Sequence, residues 1–208
     1  MEQIRRNRTE KKKEETRKRI VSIAIELFNR QGFDRTTVEQ IAEEADVARG
    51  TIFNHFPVKE AIVHAYVQTA LRDTGSEAIN KLARLPDIRS RLTVLLRHSL
   101  QWFEQNLRAD VLEKYMVYMM QRAFETLKDQ ALRSGFNNIL IPVLGEGQSA
   151  GEIRRDIPAE ELANHLEWLS ASMIILWLAC PEKSAAEIID REIDLFLSGA
   201  AGGSAQNK

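Results

Sequence analysis

Apolar residues recur at spacings of three and four positions through most of this chain, which is the pattern of amphipathic helices. The apolar face from Ile20 to Phe28 is followed by Gly32, a residue type that favours the position just past a helix end. Beyond Pro86 the same pattern predicts longer helices over residues 88–105, 109–132, 136–150, 159–180 and 184–198. No segment alternates between apolar and polar residues for long enough to predict a strand. The sequence therefore predicts an all-α fold, with a small N-terminal helical module followed by a larger helical body.

Residues 37–56 have the pattern of a helix-turn-helix. Thr36 and Glu39 have the spacing of a capping box, with Thr36 as the N-cap of a short helix. Asp46 stands where the turn needs a residue that tolerates left-handed geometry, and Pro57 closes the second short helix. The residues expected to face outward from this second helix are Arg49, Gly50, Thr51, Asn54 and His55. A short exposed helix of this kind can enter the major groove of DNA.

Charge is distributed unevenly along the chain. The formal net charge is only -1 over 208 residues, yet residues 1–20 contain nine basic and four acidic residues, a net charge of +5. A basic segment attached to an acidic body favours contact with phosphates at one end of the molecule. A solvated and frayed N-terminus explains the charge alone equally well.

Composition and motifs exclude several classes of function. Cys180 is the only cysteine, which excludes a disulfide framework and a zinc site built on paired cysteines. His64, His98 and His165 lack the spacing of metal ligands. The chain has no phosphate-binding glycine loop, no nucleophile elbow and no HExxH pattern. The N-terminus lacks the apolar core of a signal peptide, and the longest apolar stretch, residues 173–180, is far shorter than the ~20 residues of a membrane span. We therefore expect a cytoplasmic protein that is not an enzyme, needs no cofactor or metal, and does not bind membranes.

The string TTVEQIAEEADVARGTIFNHFPVKEAIVHAYV, which begins at Thr36, resembles the DNA-binding domain of the TetR (tetracycline-repressor) family of bacterial regulators. The resemblance covers about residues 14–68 and implies a three-helix, helix-turn-helix domain that binds double-stranded operator DNA. Phosphate contacts at a helix N-terminus are implied for Thr36 and Thr37, and further phosphate contacts for His55 and Lys59. The full set of DNA-binding residues that the resemblance implies is Thr36, Thr37, Arg49, Gly50, Thr51, Phe53, Asn54, His55 and Lys59.

Two positions depart from the family pattern, and one position has a second explanation. Asp46 replaces the usual turn glycine, and Ala48 replaces a frequent serine that could cap the second helix. The missing cap should cost about 0.5–2 kcal/mol of local stability. Phe53 occupies a position that is often held by tyrosine in the family. Apolar residues at helical spacing are more typical of a hairpin core, so we expect Phe53, Ile52 and Phe56 to pack in the core.

The helical body is rich in aromatic residues and methionines, which can pack a core or line an adaptable pocket. Because family members bind small effectors in this region, the resemblance implies an effector pocket here. The candidate ligand-binding residues are Trp102, Phe103, Tyr115, Met116, Met119, Phe124 and Trp168.

The C-terminal part of the body resembles the dimerisation region of the same family. The segment GEIRRDIPAEELA, residues 151–163, is similar to the linker before the penultimate helix, and the last two helices are similar to the dimerisation hairpin. This implies a homodimer with a four-helix interface. The candidate interface residues are Leu162, Leu166, Leu169, Met173, Ile189, Ile193 and Phe196.

Together these features predict a basic flexible arm over residues 1–13, a DNA-binding domain over 14–58, an effector-binding and dimerisation domain over 59–198, and a disordered tail over 199–208. The implied function is that of a ligand-responsive transcriptional regulator, most simply a repressor. It would bind a palindromic operator as a homodimer and be released by a small apolar or amphipathic effector. Two alternatives stay open. One is an effector-less or activating regulator, and the other is an all-α small-molecule carrier whose hairpin is incidental.

Overall fold

A computed structural model describes residues 2–129 and 132–200 of the protein, with side chains except those of residues 2–8, 127, 199 and 200. The helices are α1 (Glu2–Gln31), α2 (Val38–Glu44), α3 (Arg49–His55), α4 (Lys59–Leu82), α5 (Ile88–Asn106), α6 (Ala109–Gln121), α7 (Ala123–Lys128), α8 (Asn137–Ser149), α9 (Ala159–Ala179) and α10 (Ala185–Ala200). These described residues contain no strand, so the predicted all-α fold is confirmed. Of the tail predicted over 199–208, residues 201–208 lie outside the described residues, and the backbone of 199 and 200 belongs to α10.

The described chain divides into two compact units, and neither is continuous in sequence. The first unit comprises the residues up to Thr69 together with Leu107–Gln121, and the second comprises Ala70–Asn106 together with the residues from Arg122 onward. The sequence had suggested a boundary after residue 58. The first turns of α4 instead belong to the first unit, because Ile62 and Val63 are fully buried in its core.

The first unit is built around the C-terminal half of α1. Gly32 ends this helix with a φ of 95°, and its N–H donates to the Phe28 carbonyl at 2.9 Å, as the sequence predicted. At the other end, residues 2–13 form the first turns of α1 rather than an irregular arm, in keeping with their many Glu, Lys and Arg residues, which favour helix. Helix α2 packs on α1, and α3 packs on α2. The largest fully buried side chains of this unit are Ile20, Leu27, Phe28, Ile41, Ile52 and Ile62.

Helix boundaries differ from the sequence-based prediction in three places. The single central helix expected over 109–132 is two helices, because the backbone leaves helical geometry at Arg122 (φ -97°, ψ 8°). Helix α4 continues through Thr74, Gly75 and Ser76, where the sequence suggested loosening. Pro142 lies inside α8 without ending it.

The second unit is held together by α8 packing on α9 and by α10 packing on α5 and α9. This packing corrects the predicted dimer interface. Six of its seven residues are buried within the second unit itself, because they form the seam that joins α9 and α10 to the neighbouring helices: Leu162, Leu166, Met173, Ile189, Ile193 and Phe196. Leu169 is half-buried. A second subunit could contact only the opposite faces of these helices, where Trp168 is 37% and Leu195 is 63% exposed.

Helix α9 is the one helix in the described ranges that is long and apolar enough to cross a membrane by length and composition. Core helices of soluble proteins pass the same test of length and composition, so this finding does not indicate a membrane protein.

Candidate nucleic-acid interface

The α2–α3 hairpin begins with a capping box one residue later than the sequence suggested. Thr37, not Thr36, is the N-cap of α2, and its hydroxyl accepts the N–H of Gln40 at 3.1 Å. The Gln40 side chain in turn accepts the N–H of Thr37 at 3.0 Å. The sequence fits both registers, since Thr37 and Gln40 have the same three-residue spacing as Thr36 and Glu39. Glu39 therefore takes no part in the capping box.

Thr36 is fully buried and does not face solvent, which corrects its predicted role as a phosphate contact. Its hydroxyl donates to the Gly32 carbonyl at 2.8 Å and lies 3.3 Å from Nε2 of Gln31. The residue therefore joins the end of α1 to the start of α2. Thr37 is exposed at the hairpin surface, and its predicted phosphate contact stays a prediction.

Lys59 at the start of α4 has a structural role that the sequence did not show. Its Nζ donates to the carbonyls of Phe33 and Thr36 at 2.9 and 2.7 Å, and it lies 4.4 Å from the centre of the Phe33 ring. Burial lowers the pKa of this ammonium, against the opposing effect of Asp34 and Glu60. Lys59 thus fixes the loop that leads into α2 with two of its three N–H groups, and its predicted phosphate contact stays a prediction.

The α1–α2 loop is also held by the start of α6. Asp110 accepts the Phe33 N–H at 2.9 Å and pairs with Arg108, while Asn29 accepts the Arg108 N–H at 3.1 Å. Burial alone would raise the pKa of Asp110, but the Phe33 N–H and the Arg108 guanidinium outweigh it and hold that pKa below its ordinary value. This support could not be predicted from the sequence, since no local pattern links residue 33 to residue 110.

The turn between α2 and α3 has the geometry that the sequence predicted. Asp46 adopts a φ of 49°, which makes it the one described non-glycine residue with positive φ. The Val47 N–H bonds to the Ala42 carbonyl at 3.0 Å, and the small buried residues Ala42 and Ala45 let the helices cross closely. The aspartate therefore carries the left-handed conformation that a glycine would adopt with less strain.

Helix α3 presents a distinct outer face. Arg49, Gly50, Phe53 and Asn54 are exposed. Thr51 and His55 are half-buried, and Ile52 and Phe56 are buried. The expectation of a core role is thus right for Ile52 and Phe56 and wrong for Phe53, which is 44% exposed.

Ala48, the N-cap, makes no side-chain bond to the helix, so the predicted absence of a cap is confirmed. A Cβ on Gly50 would meet nothing within 4 Å among the described residues, so packing against them does not require a glycine there.

The basic segment of α1 lies beside the C-terminal end of α3. The Arg17 guanidinium is 5.2 Å from the centre of the Phe56 ring. The pKa of His55 is lowered by partial burial and then by the positive charges of Lys13 and Arg17, with Glu14 opposing them. Lys13, Arg17 and His55 therefore form a basic cluster that adjoins the outer face of α3. Part of the N-terminal charge found in the sequence therefore lies beside the hairpin.

The predicted ligand-binding residues are divided between the two units. Tyr115, Met116 and Met119 belong to the first unit, where the Tyr115 ring stacks on His64 at 6.1 Å. The second unit contains Trp102, Phe103, Phe124 and Trp168. Phe124 is 81% exposed, so it cannot line an enclosed pocket of this structure, which corrects that assignment. Trp102 and Phe103 contact each other edge to face at 5.3 Å.

Polar groups buried in the second unit were not visible in the sequence. Glu167 of α9 pairs with Arg133 at 3.0 Å and accepts a hydrogen bond from the Ser134 hydroxyl at 2.8 Å. Nearby, the Asn137 amide donates to Asn164 at 2.9 Å. These bonds join the start of α8 to α9. Among the described residues, no group of three His, Cys, Asp or Glu side chains could hold a metal ion.

Comparison with known proteins agrees with the geometry of the hairpin. A family model described as bacterial regulatory proteins, tetR family, matches residues 20–66. The regulator AcrR of Shigella flexneri is 32% identical over 95 residues, which is 45% of this chain and 44% of AcrR. The repressor KstR2 of Rhodococcus jostii is 27% identical over 146 residues, covering 69% of this chain and 71% of KstR2. The chain thus spans less than half the length of AcrR, one of the curated relatives it matches.

Similarity to solved structures extends beyond the hairpin. FadR of Thermus thermophilus, a TetR-family transcriptional repressor solved with lauroyl-CoA, has a TM-score of 0.76 and 27% identity over 92% of this chain and 98% of FadR. RolR, solved with resorcinol, has a TM-score of 0.69 at 21% identity and shares the fold. The hairpin geometry and the family model agree: residues 20–66 are a DNA-binding domain of the tetR family of bacterial regulatory proteins, and the chain as a whole is similar in fold to TetR-family regulators.

Proposed function

We propose that this protein is a ligand-responsive transcriptional repressor that acts in the cytoplasm. It binds a palindromic operator as a homodimer, and a small amphipathic effector releases it. The observation that carries the proposal is the outer face of α3, where Arg49 and Asn54 are exposed. The opposite face of the helix is anchored in the core by the buried side chain of Ile52. Arginine and asparagine are side chains that make bidentate contacts to guanine and adenine in the major groove.

Dimerisation is supported by the outer faces of α9 and α10. An exposed Trp168 and an exposed Leu195 stand on helices whose inner faces are already covered. Tryptophan and leucine that are exposed on long helices suit burial against a second copy. A two-fold dimer would present two copies of α3 to half-sites about one helical turn apart or somewhat more.

The ligand of a relative supports the choice of effector class. The similarity to FadR of Thermus thermophilus covers 98% of the FadR chain, and FadR was solved with lauroyl-CoA. Acyl-CoA thioesters are amphipathic, with an apolar chain and a charged nucleotide, and we choose them as the first effectors to test. A repressor role is favoured because KstR2 and FadR are both described as repressors.

The test is selection of bound duplexes from a random DNA pool with the full-length protein. We expect an enriched inverted repeat, and we expect lauroyl-CoA to lower the affinity for it. A reporter gene placed behind the selected site should be silenced by the protein. Failure to enrich any sequence would contradict the proposal and favour a small-molecule carrier. Enrichment with activation of the reporter would leave DNA binding intact and replace the repressor role.

A further inference from the structure

Arg49 is held between two groups on the outer face of the hairpin. Its Nη1 lies 2.9 Å from Oε1 of Glu39 on α2, and its guanidinium carbon lies 5.4 Å from the centre of the Phe53 ring on α3. The side chains of Arg49 and Glu39 are 63% and 58% exposed, and Phe53 is 44% exposed. We call these three residues the arginine clamp. It joins α2 to α3 on the side away from the core.

Stability does not account for the arginine clamp. An ion pair this exposed contributes little to folding, because water screens the two charges. The half-exposed ring of Phe53 likewise gains less from burial than Ile52 or Phe56 does. What the arrangement does is fix the position of a long side chain that would otherwise sample many rotamers. A side chain ordered before binding loses less conformational freedom when it binds.

We propose that Glu39 is the positioning residue that makes Arg49 select a guanine in the major groove. This inference rests on the proposed function. A guanidinium donates two parallel hydrogen bonds to O6 and N7 of guanine, and it does so only when its plane has the correct orientation. Glu39 takes one of the five N–H donors and sets that plane, while Phe53 covers one face of the guanidinium. Each half-site then contains a G·C pair at the position of Arg49.

Glu39 also places a negative charge in an interface with phosphates. The charge opposes DNA of any sequence, and it holds Arg49 away from phosphate oxygens that would compete with the base. Removing the charge should therefore have two effects of opposite sign. Affinity for DNA in general rises, and discrimination at one base pair falls. A residue that only supports the fold would lower both, and a residue that only repels phosphate would leave discrimination unchanged.

The experiment compares full-length variants on selected DNA. The wild-type protein first defines the preferred site from a random pool, and Arg49→Ala identifies the base pair whose preference depends on that side chain. Dissociation constants are then measured for sites carrying each of the four base pairs at that position, and for scrambled DNA. The variants are wild type, Glu39→Gln, Arg49→Ala and the double variant. Glu43→Gln is the matched control, because it removes the same charge from an exposed position on the same helix.

We expect Glu39→Gln to lower discrimination for guanine about fivefold while raising affinity for scrambled DNA about twofold. In the Arg49→Ala background the same change should leave discrimination unaltered, because the side chain that Glu39 positions is gone. Glu43→Gln should raise both affinities equally. Thermal denaturation checks that all variants fold.

Three results would overturn the inference. If Glu39→Gln discriminates for guanine as strongly as the wild type, Arg49 needs no positioning. If Glu39→Gln and Glu43→Gln change the dissociation constants equally, Glu39 acts only as a surface charge. A position dependent on Arg49 that prefers a base pair other than G·C would contradict the assigned base. Each of these leaves DNA binding in place. Failure of the wild type to enrich any site is a separate result, since it removes the proposed function as well.

Discussion

The α2–α3 hairpin and the α9–α10 pair each consist of two consecutive helices in contact, yet they depend on polar bonds to different degrees. The hairpin consists of two seven-residue helices positioned by individual polar bonds: the Thr37 cap, the Lys59 ammonium and the Asp110 carboxylate. The α9–α10 pair consists of helices of 21 and 16 residues that pack through buried apolar side chains. Short helices bury too little surface to fix their own orientation. We therefore expect substitutions in the hairpin to change orientation and DNA recognition, and substitutions in the long pair to change stability or association.

The largest expected effect separates the two faces of α10. Ile193 is fully buried within its own subunit, and Leu195, two residues later, is 63% exposed. Ile193→Glu should destabilise the subunit by about 3–5 kcal/mol, because it buries an unpaired carboxylate and removes core packing. Leu195→Glu should change subunit stability by less than about 0.5 kcal/mol, yet it should weaken the dimer about tenfold or more.

Urea denaturation and analytical ultracentrifugation of the two α10 variants measure these effects. A Leu195→Glu protein that dimerises like the wild type would show that the interface lies elsewhere. An Ile193→Glu protein that folds normally but is monomeric would restore the interface that the sequence suggested.

The second prediction tests whether Lys59 supports the fold or binds phosphate. Lys59→Met removes the hydrogen bonds to the Phe33 and Thr36 carbonyls and should destabilise the protein by about 1–3 kcal/mol. The salt dependence of DNA binding should keep its slope, because no phosphate contact is lost. Lys13→Gln is the control, since Lys13 lies in the basic cluster beside His55. It should reduce the slope by about one unit per half-site while leaving stability within about 0.5 kcal/mol.

Denaturation curves and binding isotherms across salt distinguish the two roles. If Lys59→Met melts like the wild type and has a reduced salt slope, the phosphate contact implied by the sequence is correct and the structural role is minor.

The contrast between the two regions also explains what the sequence could predict. The left-handed turn at Asp46, the missing cap at Ala48 and the helix end at Gly32 follow from local residue preferences, and the structure shows all three. What covers the apolar faces of α9 and α10 could not be predicted, because periodicity marks an apolar face without showing whether it packs on the same chain or on a second copy. The contacts of Lys59 and Asp110 could not be predicted from the sequence for another reason. They join residues 23 to 77 positions apart, and no local pattern encodes such a pairing.

The third prediction adds the cap that α3 lacks. Ala48 has the extended backbone of an N-cap residue, with φ -68° and ψ 145°, but no side-chain bond to the helix. Ala48→Ser should stabilise the protein by about 0.5–1 kcal/mol through a hydrogen bond to a free N–H of the first turn. Ala48→Gly, which cannot make that bond, is the control. Urea denaturation measures the difference, and equal stability of the serine and glycine variants would show that this helix end does not limit the stability of the hairpin.

The smallest expected effect concerns the protonation of His55. Partial burial and the charges of Lys13 and Arg17 lower its pKa in the folded protein below the ordinary value of about 6.5 that the unfolded chain has. Between these two pKa values the unfolded state binds more protons, so this histidine should make stability fall as the pH drops through that window and leave it unchanged above it.

Bound phosphates act in the opposite direction, because they favour the protonated imidazole, and DNA affinity should rise over the same fall in pH. His55→Gln removes both dependences while keeping a polar side chain. Denaturation and operator binding of wild type and variant at pH 5.5, 6.5 and 7.5 measure the two effects, and wild-type binding that weakens in acid relative to the variant would show that His55 does not contact phosphate.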